Sequence, residues 1–464
     1  MARSRRLLLP PLGHLLCVRK FPHVLALIAA TTAAGPATAV PRDGDERIVA
    51  AVQRAARPLH TTEPQGSLAD LGPVGAMVGR ARIVGLGEAT HGSHEFATMK
   101  HRVFRYLVEK RGFRTFALEA PWSTGRRLDT YVVHGQGDPR RIMSEDLQYA
   151  YALWNNAEYL ALVEWMRAYN LRHPGDPVRI MGDDFGYTGP EVYDRVIGYV
   201  AEAHPELLGR IAELYRGLPP ALPSGAYQKA YFARPLTERQ EMAGRTGRAV
   251  ALLARLAPPA TAGPRAREEH AWALRDATAI DQTARQYAFD PADPEQVAAI
   301  MRWRDSTMAD NVVWWQERTG TRVLLSAHNG HVAYESEDPP NQPRTQGAFL
   351  RDRLGTGYTA IGFTFGQGSF KATDPAETMM LTQSVGPAEP GGNEYVLDRV
   401  CRLRYVLDLR TAPAVVRNWL TTARPTRSIG TAYPEREYEI ALARSYDILI
   451  HLRRVRAVRL LDEP

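Results

Sequence analysis

Arg82-Ile83-Val84-Gly85-Leu86-Gly87-Glu88-Ala89-Thr90-His91-Gly92-Ser93-His94-Glu95 holds an apolar run, a glycine-flanked polar cluster and the start of a helical pattern. A run this short, bounded by turn residues, reads as a buried strand. Beyond it Phe96, Met99, Val103 and Leu107 share one helical face. The same order of apolar run and polar or small cluster recurs at 115–119, 178–182, 322–326 and 358–363, and strand signals return at 446–451. Leu160, Val163 and Leu171 belong to a further helical region ending before Pro174. Strands alternating with helices predict an α/β fold with a largely parallel central sheet flanked by helices.

Residues 204–300 break the alternation. They are rich in Ala, Arg and Glu, poor in β-branched residues, and cut by Pro219-Pro220 and Pro258-Pro259. They read as a helical insertion, either a lobe or lid over the cleft or extra scaffold. The remaining divisions are 40–80, an N-terminal segment with an Arg/Ala amphipathic stretch from Ile48 to Leu59; 81–203, the first part of the α/β core; and 301–464, its second part. No internal repeat is visible.

At 464 residues, 44% hydrophobic and 23% charged, the chain has ordinary globular usage. That excludes a mainly disordered, collagen-like or polytopic membrane protein. The formal charge of +7 points at first to an anionic partner. The first forty residues, however, contain no Asp or Glu. Arg19-Lys20 precedes an apolar run from Val24 to Ala34, and Ala37-Thr38-Ala39 offers a small-residue cleavage site. This order describes an export signal over 1–39, too short to span a membrane, and so predicts a secreted or extracytoplasmic protein. A cytoplasmic protein with a disordered tail is the alternative. Residues 1–17 fit the signal poorly, so translation is expected to start near Val18. Cleavage removes five basic residues and leaves a net charge of about +2, which withdraws the argument for a polyanionic partner. Cys17 leaves as well, and Cys401 then has no intrachain partner.

In open α/β sheets, ligands bind beyond the carboxyl ends of the strands. Here those ends deliver Glu88 and His91, Glu119, Asp183 and Asp184, and His328 and His331 toward one rim. His91, just ahead of a helix, is the candidate general base, since the positive helix end keeps the imidazole neutral. Glu88 or Glu119 is placed to orient it, while His328, His331 and Lys100 are candidates for stabilising the oxyanion or leaving oxygen. G-x-S-x-G is absent beside a strand, so an activated water suits the inventory better than a serine acyl-enzyme. His94, His101 and His451 read as structural, Trp154 and Trp165 as core, and Asp184 as either a site residue or a helix cap.

At these positions the sequence resembles the erythromycin esterase family. The resemblance rests on 85–92, on Phe116-Ala117-Leu118-Glu119, on Gly182-Asp183-Asp184, on Arg304-Asp305 with Met308-Ala309 and Asn311, and on Ala327-His328-Asn329-Gly330-His331. It covers roughly residues 75 to 455. It implies a mixed α/β fold with a helical lobe over a deep cleft, and hydrolysis of a macrolactone ester. Carried over by position, it puts the catalytic histidine at His91, the supporting glutamates at Glu88 and Glu119, and the later pair at His328 and His331. The family's Arg beyond the catalytic histidine is Lys100 here. Asp184 and Arg304 are expected to support the site or substrate.

The expected protein is thus a monomeric ester or lactone hydrolase, with a macrolide as foremost substrate and antibiotic resistance as its role. It is expected to need no cofactor, with a divalent metal left open, and to bind a small molecule and no nucleic acid. Two alternatives stand beside it: a metal-dependent hydrolase using the same Glu and His residues, and a non-enzymatic haem- or iron-binding protein.

Overall fold

A computed structural model describes residues 43–259, 261–376, 379–434 and 437–462. The export signal expected over 1–39 lies outside the described residues. The strands are β1 (Arg57–Pro58), β2 (Ile83–Leu86), β3 (Phe113–Pro121), β4 (Arg179–Asp184), β5 (Arg322–Ser326) and β6 (Tyr358–Thr373). They continue with β7 (Met380–Val385), β8 (Arg404–Asp408), β9 (Arg424–Thr426), β10 (Tyr438–Ile440) and β11 (Ile448–Val455).

Nine of them form one sheet in the order β1-β8-β11-β6-β2-β5-β3-β4, with β7 on the far part of β6. The six strands from β11 to β4 are parallel. Antiparallel β8 and β1 close one edge, and antiparallel β7 extends β6. The sheet is therefore mixed and mostly parallel, flanked by helices, as the alternation predicts.

Alternate residues of each strand feed two different cores. Val84 and Leu324 join one cluster, together with Phe96, Met99, Val103 and Leu107 of helix α1 (His94–Arg111). Ile83, Val323 and Leu325 join the other, with Val312 and Trp315. Burial on both faces is why these strands read as unbroken apolar runs. Leu160 and Val163 lie in the first core, but Leu171 is 66% exposed. It sits in the last turn of the helix Ala157–Arg172, where solvent takes the place of a packed neighbour.

Between β4 and β5 the chain is helical from Pro190 to Thr319, beginning earlier and ending later than the 204–300 stretch. Val192, Tyr193, Ile211, Met242, Ile280 and Tyr287 give this lobe a core of its own. Its last helix, α2 (Pro294–Thr319), returns the chain to β5.

His94 clamps three segments together. Its Nδ1 bonds Glu158 at 2.7 Å and its Nε2 bonds Glu63 at 2.9 Å, while Arg459 N donates to Glu158. The Glu158 bond first, and Glu63 with it, outweigh burial and hold this imidazole up to about 9. A raised folded-state pKa stabilises fully below the ordinary value of 6.5 and is lost as pH rises through about 9. Thermal unfolding should therefore show a gap between wild type and His94→Gln that is widest below pH 6.5 and closes above pH 9. A gap independent of pH would assign His94 to packing alone.

Candidate active site

The register sets the site. Leu86, Ser326, Leu118 and Gly182 pair in one row across β2, β5, β3 and β4. Glu88, His328, Glu119, Asp183 and Asp184 lie one or two residues beyond that row, so four neighbouring strand ends meet. After β2 the chain crosses to β3, whereas after β5 it crosses back past β2 to β6, which makes the β2–β5 boundary a topological switch point.

Close approach shapes the loop after β2. A Cβ on Gly87 would lie 2.2 Å from Asn329 Oδ1, and one on Gly92 would lie 1.9 Å from Lys371 O. Gly92 O accepts from Lys371 N and Val458 N, both at 2.9 Å. Pinned in this way, His91 places Nδ1 2.7 Å from Glu88 Oε1, leaving Nε2 as its free basic atom on a ring that lines the cleft. Trp154 packs on that ring with centroids 4.4 Å apart. This corrects the expectation that Trp154 is a core residue only: it is buried, yet it walls the cleft.

Lys100 is fully buried on α1. Its Nζ donates to Glu88 Oε2 at 2.6 Å and to Ala327 O at 3.2 Å. Burial opposes ionisation of Glu88, but the Lys100 and His91 charges outweigh it and hold the carboxyl below its ordinary value. Burial also lowers Lys100, against the pull of Glu88. The expected oxyanion role for Lys100 is therefore corrected. It sits behind Glu88, does not line the cleft, and acts on His91 only through that carboxylate.

Glu119 is corrected too, because it does not hold His91. Its Oε2 accepts from His328 N at 2.8 Å, and its Oε1 lies 3.1 Å from Arg304 Nη2 and 3.2 Å from His331 Nε2. Burial opposes its ionisation, yet His331 and Arg304 hold it well below the usual carboxylate range. Arg304 reaches in from α2 and donates to Asp184 Oδ2 from Nη2 at 2.5 Å. Asp184 also accepts from Tyr151 OH at 2.8 Å and from Phe185 N. It is an ion-pair partner; the next α-helix begins only at Pro190.

His331 has both nitrogens engaged. Nδ1 lies 2.7 Å from Asp305 Oδ1, and Nε2 lies 3.0 Å from Arg304 Nη1 as well as near Glu119. Burial would lower its pKa, but Asp305 and Glu119 raise it to about 10. With no nitrogen left over, the expected oxyanion role does not fall to His331.

His328 differs. Its Nδ1 accepts from Gly330 N at 3.2 Å, so the ring proton sits on Nε2. Burial first, and then the His91 charge, push it down to about 3, so the ring stays neutral. Nε2 is closed to solvent and, among the described residues, has no hydrogen-bond partner, while the ring borders the cleft. A neutral N–H donor beside an imidazole base, with ring centroids 5.0 Å apart, is an arrangement that can serve acyl chemistry on water.

Sequence reasoning left several members of this network unassigned. Asp305 accepts from Gln346 N at 2.7 Å and Gln342 Nε2 at 3.0 Å besides His331. Gln346 Nε2 in turn holds Asp183 at 2.7 Å. Asp305 is next to Arg304 on α2, and its place in the Arg304-Asp305 segment that carries the resemblance is the signal that could have assigned it.

Among the described residues no three His, Cys, Asp or Glu side chains are grouped to hold a metal ion. The cleft has room of about 90 Å³ and is bordered by Tyr151, Met301, Asn341 and Ser428 besides the site residues. A cavity of roughly 150 Å³ takes one benzene ring, so this one encloses a reacting ester group but not a macrocycle. None of residues 204–300 borders it. The lobe reaches the cleft through Met301 and Arg304 of its last helix, while helix Ser224–Phe232 backs the Tyr149–Trp154 wall through Ser224 Oγ on Asp146 O and Lys229 over the Tyr149 ring.

Comparison with known proteins adds a family. The erythromycin esterase profile matches residues 108–455, beginning after Glu88, His91 and Lys100. Erythromycin esterase type II of Escherichia coli is 30% identical over 113 residues, which is 24% of this chain and 26% of that protein. The match thus spans about a quarter of that relative's length. Among solved structures, a succinoglycan biosynthesis protein matches with a TM-score of 0.79 at 28% identity, over 91% of this chain and 100% of that one. An erythromycin esterase mutant in its open conformation matches at 0.68 and 19% identity, over 88% and 100%.

Proposed function

Because the chain belongs to the erythromycin esterase family, we propose that it is a hydrolase that cleaves an ester, foremost a lactone of the macrolide class, with a water activated by His91. The observation that carries this reading is the Glu88-held His91 with Nε2 free, facing the same cleft as the neutral His328. Water gives its proton to His91 Nε2 as its oxygen attacks the carbonyl carbon. Glu88 stabilises the imidazolium that forms, and Lys100 keeps Glu88 ionised. The carbonyl oxygen, now an oxyanion, accepts from His328 Nε2–H. Collapse breaks the C–O bond to the alcohol, and His91 returns its proton to the leaving alkoxide.

A macrocycle enters only by its ester edge, or after the cleft walls part. Action as a monomer outside the cytoplasm and a part in antibiotic resistance complete the proposal, on the strength of the leader and the family. The test is incubation with a panel of macrolides and simpler lactones, read by mass for the gain of one water. Intact substrates throughout, with linear esters also uncleaved, would remove the reading.

His328→Asn keeps an acceptor near Gly330 and deletes Nε2–H. It should lower kcat by about 10²- to 10³-fold, with KM little changed, as steady-state kinetics would show. Equal losses in kcat/KM carried by KM alone would place His328 in substrate binding.

A further inference from the structure

The amino ends of β3, β4 and β5, at the opposite edge of the sheet from His91, border a second cleft of about 500 Å³. Arg114, Arg126, Arg179, Arg318, Glu268 and Trp272 line it. Three of these cations are already satisfied. Arg114 holds Asp176 and the carbonyls of Val108 and Phe113. Arg179 chelates Asp129 through Nε and Nη2, and Arg318 pairs with Glu268.

Arg126 is not. Among the described residues its guanidinium has no hydrogen-bond acceptor, and the nearest carboxylate oxygen, Asp276 Oδ1, is 3.9 Å from Nε. Asp276 is already taken by Trp122 Nε1 and Arg195 Nε, each at 2.8 Å. The guanidinium lies over the Trp272 ring, 4.4 Å from its centroid, and its Nε is sealed from solvent. The remaining 20% of the side chain that stays exposed opens on the cleft. Burial, and then the Arg195 and Arg179 charges, lower its pKa against the pull of Asp276 and Asp129. A fixed, stacked guanidinium with no hydrogen-bond acceptor among the described residues, 3.9 Å from an Asp276 carboxylate that two other donors already hold, is placed to take an anion.

We propose that this cleft binds a phosphate-class oxyanion, gripped by Arg126 with Arg179 and Arg318 as flanking charges. The Trp272 ring holds the fork rigid, so little side-chain freedom is lost on binding. The oxyanion would join the strand ends of the core to the lobe helix Pro264–Gln286, which carries Glu268 and Trp272.

The test is titration of the full chain with inorganic phosphate at constant ionic strength, set by chloride, followed by calorimetry and by thermal unfolding. Saturable binding with a rising midpoint is expected, with malonate as the arm that separates phosphate from carboxylate recognition. Arg126→Gln should weaken phosphate by at least about tenfold, and Arg126→Lys, which keeps the charge but not the fork, by an intermediate factor. His91→Asn should bind phosphate as wild type does. If Arg126→Gln folds poorly, Arg126→Lys carries the comparison. A response to phosphate no different from chloride, malonate bound more tightly than phosphate, or wild-type affinity in the Arg126 variants would overturn the proposal.

Discussion

Hydrolysis by His91→Asn should fall by roughly 10²- to 10⁴-fold on any ester the wild type cleaves, while the protein stays folded. The loss follows from the position of one atom, for His91 Nε2 is the free base on a ring whose Nδ1 is held at 2.7 Å. Folding is spared because Glu88 keeps its second partner: Oε2 still accepts from Lys100. Glu88→Gln is the poorer test, since it would strand a fully buried ammonium and confuse chemistry with stability. Turnover, a denaturation midpoint and circular dichroism on the His91 variant separate the two. Near-wild-type turnover in a folded His91→Asn would move the base elsewhere in the cleft.

Arg304→Met should cost about 3–5 kcal/mol of stability, the scale for removing one member of a buried ion pair. Arg304 sits between Asp184 and Glu119, and all three are nearly inaccessible. With the guanidinium gone, Glu119 retains His331 and the His328 backbone, but Asp184 keeps only Tyr151 and the Phe185 N–H. Adding Asp184→Asn should therefore restore part of the loss by removing the stranded charge. Urea unfolding of the two variants measures both quantities. A single variant within about 1 kcal/mol of wild type would show that the network is worth no more than an exposed pair.

The fold was readable because parallel strands buried on both faces need apolar runs. Runs at 115–119, 178–182 and 322–326, short and bounded by turn residues, favour strands over helices, and they appear in β3, β4 and β5. β8, next to the edge strand β1, has only Tyr405, Val406 and Leu407 between Arg404 and Asp408, and β7 sets Thr382, Gln383 and Ser384 side by side, so neither shows such a run. At the site, Glu88 and His91 are an i, i+3 pair in one loop, and local spacing revealed their bond. Glu119 and Lys100 both depart from their expected roles because each contacts residues distant in the chain. Glu119 meets Arg304 across 185 positions, and Lys100 meets the Ala327 carbonyl across 227.

By itself, the order of residues determined that His91, Glu119, His328 and His331 reach the cleft, since a strand's end and its loop are local; it neither set Lys100 aside nor brought in Trp154. Only the tertiary structure decided what each does there. The charge state and free atom of a buried His, Glu or Lys depend on its partners, and the sheet order β2-β5-β3-β4 assigns those partners. Among the described residues that order leaves His91 Nε2 and His328 Nε2 unclaimed, engages both nitrogens of His331, and turns Lys100 away from the cleft.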